Sequence, residues 1–415
     1  MKPMKTEDDW REPVKNGDVE GEAMQRSKGN LQFMKEINTA AILNLLHLEG
    51  MLSRAEIAAI TKLSPTTVSA LVEELIASGK VEEVGERPSA GAGRKAIALR
   101  INRRGGYVLG LSLSGEWLDS AIVDLYGEIV EQARQRVGPG NEAVSEAALA
   151  AVARGMERAK TLGTGELLGI GVSAPGIVDE VGASVIYSTA LKLERLPLKE
   201  KLASRFPGIP VQLFNDSNAA AFAEYYNGAG VGKSHLLYLY IHEGMGSGLI
   251  LGGQIFSGYR GGAGEIGHIP VEPHGRECSC GRSGCIETML SAASIADDAR
   301  RAAMTSGSRP PETLNEALAS YESGGELDAL FDRYIAALVQ MMTTAVNLVS
   351  PEAVILEGWM ARSPKFMEKL RAEMQSIPFP VPFGAERLLL SSYGDQGPLY
   401  GAAVFMLQQV FKTIG

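Results

Sequence analysis

The sequence has few cysteines and no long hydrophobic run, and these two absences exclude whole classes of protein. Only three of the 415 residues are cysteine, too few for the disulfide framework of a small secreted domain. No apolar run approaches the roughly 18 residues of a membrane-spanning helix. The first thirty residues are polar, carry charges of both signs and contain no apolar signal-peptide core. We therefore expect a cytoplasmic protein without membrane association, with a flexible N-terminal tail over residues 1–30.

The composition is otherwise that of a globular chain, but its charge is unevenly distributed. The hydrophobic content is 45%, and the length predicts two to four folding units. The net charge of −9 argues against nucleic-acid contacts along the whole chain. However, six basic residues and no acidic residue occur between positions 87 and 104. This asymmetry indicates a small nucleic-acid-binding module joined to an acidic body.

Three helix signals lie close together near the N-terminus. Apolar residues recur at helical spacing over residues 33–48. Ser53, with Glu56 three positions later, forms a capping box at the start of a second helix. Ser64 followed by Pro65 is an N-cap with proline at the first helical position, which predicts a third helix.

Two predicted strands, at 80–84 and 96–101, flank a glycine-rich basic segment, and this order is typical of a winged helix-turn-helix over residues 31–104. The third helix would offer hydroxyls and free backbone N–H groups to a double-stranded DNA operator, and the wing would add two cations. The predicted DNA contacts are Ser64, Thr66, Thr67, Ser69, Arg94 and Lys95. The alternative is a three-helix interaction domain with a solvated basic loop.

Strands alternate with helices from residue 105 to residue 415, which predicts an α/β body with two lobes of similar construction. All three cysteines fall within this body, in eight consecutive positions. Three thiols and one histidine make a tetrahedral site that suits structural zinc. The predicted zinc loop spans 268–285, with ligands His268, Cys278, Cys280 and Cys285, and His274 as the alternative histidine. The other interpretation is three thiols that bind no metal.

These residues resemble the ROK family (repressor, open reading frame, kinase), and specifically its regulator branch with the N-acetylglucosamine and xylose repressors. Asn215-Asp216-Ser217-Asn218 matches the family's Asn-Asp-x-Asn segment, and Glu265 and His268 match its Glu-x-Gly-His pair. The resemblance implies a winged helix followed by a two-lobed actin/hexokinase-like (ribonuclease H-like) sugar-kinase fold. It also implies sugar or sugar-phosphate contacts by Asn215, Asp216, Glu265, His268 and Glu287. His268 would then bind zinc with one ring nitrogen and face the sugar with the other.

Kinase members of the family begin the body with Asp-x-Gly-Gly-Thr, whereas this chain has Ser112-Leu113-Ser114-Gly115-Glu116. The aspartate that helps to hold Mg²⁺ is absent, and Glu116 would repel phosphate. The segment Gly244–Gly248 retains part of a second phosphate motif. Asp216, the general base of the kinases, would be vestigial here; its other interpretation is a helix N-cap.

The resemblance therefore implies a sugar-responsive transcriptional repressor, a homodimer or homotetramer, that has lost ATP-dependent phosphorylation. The alternative is a ROK sugar kinase with an appended DNA-binding module. A third interpretation is regulation by a partner protein that docks on the acidic body.

Overall fold

The computed structural model describes residues 26–87, 96–163, 166–179, 183–381 and 383–413. Two of the predicted DNA contacts, Arg94 and Lys95, lie outside these residues. Among the described helices, none has the length and apolar character needed to cross a membrane.

The N-terminal segment folds as a winged helix-turn-helix. Its elements are α1 (Arg26–Glu49), β1 (Leu52–Ser53), α2 (Arg54–Thr61), α3 (Pro65–Ala77), β2 (Val81–Arg87) and β3 (Ala96–Ile101), and the strands pair in the order β1-β3-β2. The predicted capping box of Ser53 and Glu56 is present, and Ser64 caps α3. Ile42, Ile57 and Val68 have no exposed surface, so the three helices share one apolar core.

Helix α1 is longer than its periodicity indicated, because it begins at Arg26 and not near residue 33. The added turns contain one apolar residue, Leu31, so they carry no helical hydrophobic pattern. The start of this helix also lies inside the segment that we expected to be a tail.

The chain divides into two compact units. The N-terminal unit contains the described residues from Arg26 to Val172, Leu198–Gln212, and the described residues from Ala403 onward. After the winged helix its elements are β4 (Tyr107–Ser114), β5 (Trp117–Asp124), β6 (Ile129–Arg136), α4 (Asn141–Leu162) and β7 (Leu167–Ala174). Strands β4, β5 and β6 are antiparallel neighbours in a five-stranded sheet of order β11-β7-β4-β5-β6, in which β11 is Val211–Asn215.

The winged helix and the sheet that follows it are joined by a buried lysine. Lys80 is 4% exposed, and its Nζ donates to the carbonyl of Gly105 at 2.7 Å and to the carboxylate of Glu166. Asn102 Nδ2 donates to the carbonyl of Gly79 at 2.8 Å. The predicted domain boundary near residue 104 therefore lies inside one hydrogen-bonded unit.

The C-terminal unit, Ser173–Pro197 and Leu213–Ala402, holds the predicted zinc and sugar residues. Its sheet has the order β14-β13-β12-β15-β16, and β12 pairs in parallel with β15, which pairs in parallel with β16. The remaining elements are β8 (Ile177–Val178), β9 (Val185–Ser188), β10 (Leu193–Leu196), α5 (Leu198–Arg205, in the N-terminal unit), α6 (Asp216–Asn227), β12 (Leu236–Ile241), β13 (Met245–Leu251), β14 (Gln254–Ile255), α7 (Glu287–Leu290), α8 (Ala292–Ser306), α9 (Leu314–Ser323), α10 (Asp328–Val349), β15 (Ala353–Gly358), α11 (Pro364–Ser376), β16 (Leu388–Leu390) and α12 (Gly397–Thr413, of which the residues from Ala403 onward belong to the N-terminal unit).

The core of the C-terminal unit is built on α10, one face of which is buried. Phe331 and Tyr334 on this helix are fully buried, and the ring of Phe331 packs edge-on against Trp359 at 6.1 Å between centroids. The indole Nε1 of Trp359 donates to the carbonyl of Leu290 at 2.9 Å. The hydrogen bond of this buried indole N–H fixes the ring in place, so the fluorescence of Trp359 depends on the packing of this unit.

Candidate functional site

The N-terminal end of α3 presents a cluster of hydroxyl groups. The Oγ of Ser64 accepts the N–H of Thr67 at 3.1 Å and lies 2.8 Å from the hydroxyls of both Thr66 and Thr67. Ser64 and Thr66 are exposed, whereas Thr67 and Ser69 are half-buried. All four predicted DNA contacts on α3 thus lie near its N-terminus, where backbone N–H groups can also meet phosphate.

Two cations of the basic segment are held in ion pairs within the N-terminal unit. Arg100 donates to Glu82 at 2.7 Å across the β2–β3 pair. Arg103 donates to both carboxylate oxygens of Glu128, at 2.6 and 2.8 Å, and its guanidinium lies 4.8 Å from the ring centroid of Tyr126. Arg103 therefore contacts the sheet that follows the winged helix, whereas Arg100 pairs within the winged helix, and the run of basic residues overstates the charge available to DNA.

The four predicted zinc ligands lie together, with all ligand atoms within 4.8 Å of one another. His268 Nδ1 is 3.4 Å from the sulfur of Cys278, and the sulfurs of Cys280 and Cys285 are 3.6 Å apart. Tetrahedral ligands on bonds of about 2.0–2.3 Å are separated by about 3.3–3.8 Å, so the four atoms fit around one ion. Burial opposes ionisation of Cys280, but hydrogen bonds from Arg282 and from the thiols of Cys278 and Cys285 together outweigh it and lower the pKa of this thiol to about 6.

The loop that brings the thiols together depends on a glycine. Gly284 has φ +76°, and a Cβ there would lie 1.7 Å from the carbonyl oxygen of Glu272. Only glycine fits this close approach, which places Cys285 beside the other ligands. Gly281, in the same loop, also has a positive φ but faces open space. His274, the alternative histidine, does not belong to the described ligand cluster. Arg282, which donates to Cys280, could not be identified from the sequence, because an arginine in a polar turn gives no signal.

Asn215 and Asp216 join β11 to α6. Asn215 is the N-cap: its Oδ1 accepts the N–H of Asn218 at 3.1 Å, and its Nδ2 donates to the carbonyl of Gly176 at 2.9 Å. The interpretation of Asp216 as the cap is therefore wrong, because the neighbouring asparagine does that work. Asp216 is the first residue of the helix, and its Oδ1 accepts the N–H of Ser217 at 2.8 Å.

Glu265, His268 and Glu287 link the zinc loop to the rest of the C-terminal unit. His268 Nε2, on the side of the ring away from Cys278, lies 3.7 Å from Glu265 Oε2. Glu287 Oε2 accepts the N–H of Met245 at 3.1 Å, and its Oε1 is 3.9 Å from the sulfur of Cys278. The imidazole thus faces thiols with one nitrogen and a carboxylate with the other.

Burial and, to a lesser extent, like charge raise the pKa of two carboxyl groups in this region, Asp216 and Glu265. Burial raises the pKa of Asp216 to about 6, and the charge of Glu265 adds to the rise. Partial burial raises the pKa of Glu265 as well; His268 opposes this shift and Glu287 adds to it. Carboxyl groups with a pKa raised by burial are typical of sites that bind polar ligands.

The predicted repulsion of phosphate by Glu116 needs correction. Gly115 and Glu116 form the two-residue turn between β4 and β5, and Glu116 Oε2 accepts from Arg136 at 2.9 Å. The charge of Glu116 is therefore compensated by a neighbouring cation. Ser112, which the resemblance aligns with the kinase aspartate, is a buried residue of β4.

The glycines of the segment Gly244–Gly248 have a packing role. A Cβ on Gly246 would lie 2.4 Å from the Oγ of Ser217, and one on Gly248 would lie 2.4 Å from the carbonyl of Ser217. These glycines allow β13 to pass directly under α6, so their spacing is explained without a bound phosphate.

Comparison with known proteins finds relatives for both the winged helix and the body. A sequence model of the ROK family matches residues 108–409, and one for a winged helix-turn-helix DNA-binding domain matches residues 36–82. The chain is 28% identical to a putative xylose repressor of Caldicellulosiruptor sp., over 92% of this chain and 98% of the relative. It is 29% identical to the DNA-binding transcriptional dual regulator NagC of Escherichia coli, over 83% and 85% of the two chains.

A solved structure confirms the fold. The crystal structure of a ROK family transcriptional regulator, a homolog of the E. coli MLC protein, aligns with a TM-score of 0.79 at 24% identity, over 92% of this chain and 97% of that one. The predicted order of a winged helix-turn-helix followed by a two-lobed α/β body is thereby confirmed.

Proposed function

The chain belongs to the ROK family, and from that premise we propose that it is a sugar-responsive, DNA-binding transcriptional repressor of carbohydrate metabolism genes. The observation that carries the proposal is the winged helix-turn-helix on the same chain as the ROK body. Relatives named putative xylose repressor and DNA-binding transcriptional dual regulator NagC align over 92% and 83% of the chain. A repressor acts where the DNA is, so we place the protein in the cytoplasm.

Double-stranded operator DNA would meet the hydroxyl cluster of α3. Ser64, Thr66, Thr67 and Ser69 lie at the end of the helix that carries free N–H groups, and Arg94 and Lys95 of the wing would contact phosphates. Operators of such readers are pseudopalindromes, so a homodimer or homotetramer would place two of these helices on one site.

A sugar or sugar phosphate would bind to the cluster of polar side chains in the C-terminal unit. Asp216, Glu265 and Glu287 supply carboxylate acceptors for hydroxyl groups, and His268 Nε2 faces the same region. At least one of the two amide protons of Asn215 is committed to Gly176, so this residue would act partly by holding the loop at Gly176.

Zinc would be held by His268, Cys278, Cys280 and Cys285, and its function would be structural. The donor set of three thiols and an imidazole, with separations near those of a tetrahedron, fits this ion. By fixing His268 Nδ1, the ion would orient the opposite nitrogen toward Glu265 and the sugar.

The sugar can regulate DNA binding only if it binds the two states of the protein with different affinity. A thermal-shift panel of sugars, sugar phosphates and ATP·Mg²⁺ tests the ligand class, because a ligand at 100 times its dissociation constant stabilises by about 2.7 kcal/mol. We expect a shift with a sugar and none with ATP·Mg²⁺. An electrophoretic shift that shows no preference for any sequence over random DNA would overturn the repressor.

The second candidate function is a sugar kinase, favoured by the retained Asp216. Burial raises its pKa to about 6, a value suited to a general base. Against it stand Ser112 at the magnesium position and the packing role of Gly246 and Gly248. Sugar-dependent ATP consumption that disappears in Asp216→Asn would establish the kinase. We expect no such turnover.

A further inference from the structure

A second group of metal-ligating side chains lies in the C-terminal unit, formed by other residues than the cysteine cluster. His242, Glu357 and Asp395 bring their ligand atoms within 4.8 Å of one another. His242 Nε2 is 3.6 Å from Glu357 Oε1 and 3.7 Å from Asp395 Oδ1. None of these residues takes part in the sugar, zinc or DNA contacts proposed above.

The parallel strands of the sheet bring the three residues together. His242 directly follows β12, and Glu357 is the second-last residue of β15, opposite Tyr240 in the parallel register. Asp395 lies in the turn between β16 and α12. Because β12, β15 and β16 are parallel neighbours, their carboxyl ends meet at one edge, which is where open α/β sheets bind ligands.

The imidazole of His242 is held in place with one nitrogen lacking a hydrogen bond. Its ring stacks on Tyr240 at 4.9 Å between centroids. The backbone of the residue is fixed as well, because the His242 main-chain N–H donates to the carbonyl of Gly244 and the His242 carbonyl accepts from the main-chain N–H of Ala292. Nε2 is buried and has no hydrogen-bond partner among the described residues, although two carboxylates face it. Such a buried nitrogen is costly unless it gains a partner, and a cation shared with the carboxylates would supply one.

The segment that carries Asp395 is fixed by a buried acid. Glu224 has no exposed surface, and its Oε1 accepts from Ser391 Oγ at 2.6 Å, from Ser392 N–H at 2.8 Å and from Tyr393 N–H at 3.2 Å. These bonds hold the turn just before Asp395. The third ligand is therefore positioned before any ion binds, as metal sites require.

We propose that His242, Glu357 and Asp395 bind a divalent first-row transition-metal ion of the zinc type. One imidazole and two carboxylates suit such an ion, and tetrahedral ligands at about 2.1 Å lie about 3.4 Å apart, close to the separations observed. The ion neutralises two carboxylates that face a single imidazole. The side chain of Asp395 is 72% exposed, so the fourth position opens to solvent and takes water or a small anionic ligand.

The test is the zinc content of the full chain after equilibrium dialysis against buffered, micromolar free zinc. We expect two ions per chain in the parent and one ion fewer in both His242→Ala and Asp395→Asn. His235→Ala is the matched control, because His235 also lies 3.6 Å from a carboxylate, that of Glu352, but has no third ligand in its described surroundings. This control keeps the parent's zinc content.

The cysteine cluster is tested separately in the same experiment. Cys280→Ser removes the ion of the cysteine cluster, whereas His242→Ala removes the ion of the second site. If both sites exist, a chain that carries both substitutions therefore loses both ions. If the cysteine cluster binds no zinc, the parent holds one ion, and only the His242 and Asp395 variants lose it. Unchanged zinc content in Asp395→Asn and His242→Ala, with both variants folded by circular dichroism, overturns the second site. Asp395→Asn alters an exposed side chain and keeps the test decisive if His242→Ala fails to fold.

Discussion

The carboxylate of Asp216 should destabilise the fold at neutral pH, and Asp216→Asn should relieve that cost. Burial raises the pKa of this group from 3.8 to about 6. At about 1.4 kcal/mol per tenfold change, the ionised carboxylate costs up to about 3 kcal/mol in the folded state. The variant also weakens the hydrogen bond from Ser217, which subtracts about 1 kcal/mol. We therefore expect Asp216→Asn to be more stable than the parent by about 1–2 kcal/mol at pH 7.5.

The sign of the pH dependence follows from the raised pKa. The folded chain binds the proton of Asp216 more tightly than the unfolded chain, so protonation stabilises the fold. This stabilisation is complete below pH 3.8 and is lost as the pH rises to about 6. The difference between variant and parent should therefore fall by about 1.4 kcal/mol between pH 7.5 and pH 5, and this fall should track the titration.

The assay is urea unfolding followed by tryptophan fluorescence at pH 7.5, 6 and 5, since the buried Trp359 lies in the same unit as Asp216. Asp297→Asn is the control: its exposed carboxylate pairs with Arg300, and its effect should stay within about 0.5 kcal/mol. If Asp216→Asn is less stable than the parent at pH 7.5, or if the difference does not change with pH, the assignment of a strained carboxylate is refuted.

Three further substitutions test other parts of the structure. Lys80→Met should destabilise the N-terminal unit by about 1–3 kcal/mol in denaturant titrations, because a buried carbonyl loses its donor; an unchanged midpoint would show that the lysine does not secure the join. Gly284→Ala should abolish zinc binding by the cysteine loop, whereas Gly281→Ala, which faces open space, should only cost about 1 kcal/mol; equal metal content in both variants would contradict the role of the close approach. Thr66→Ala should weaken DNA binding with little effect on stability, whereas Ser64→Ala should also cost about 1 kcal/mol through loss of the helix cap; an electrophoretic shift and a thermal melt separate the two effects.

Local signals in the sequence were sufficient to predict helix ends at which a side chain caps the backbone within a few residues. The capping box at Ser53 and the N-cap at Ser64 both appear in the structure as predicted. The Cys₃His cluster was found because its spacing is distinctive, and its four ligand atoms do converge. Helix α6 begins at Asp216, because Asn215 caps it.

Features that depend on tertiary contacts could not be found in the sequence. The first half of β13, from Met245, gives no strand signal, because its glycines are required by the close passage of α6. The pairing of Glu116 with Arg136 crosses from the turn to β6 and has no local signature. In the same way, His242 and Asp395 lie 153 positions apart, and only the parallel register of the sheet brings them together.

The most direct test of the central claim is whether a sugar changes the affinity of this protein for a specific DNA sequence. A duplex would be enriched from a random library by the full chain, and its dissociation constant measured by fluorescence anisotropy with and without the sugar found in the thermal-shift panel. The account predicts an enriched pseudopalindrome and at least a fivefold change in affinity, or about 1 kcal/mol of coupling, that Asp216→Ala removes while DNA binding persists. No enriched sequence, or an affinity that the bound sugar leaves unchanged, would contradict it.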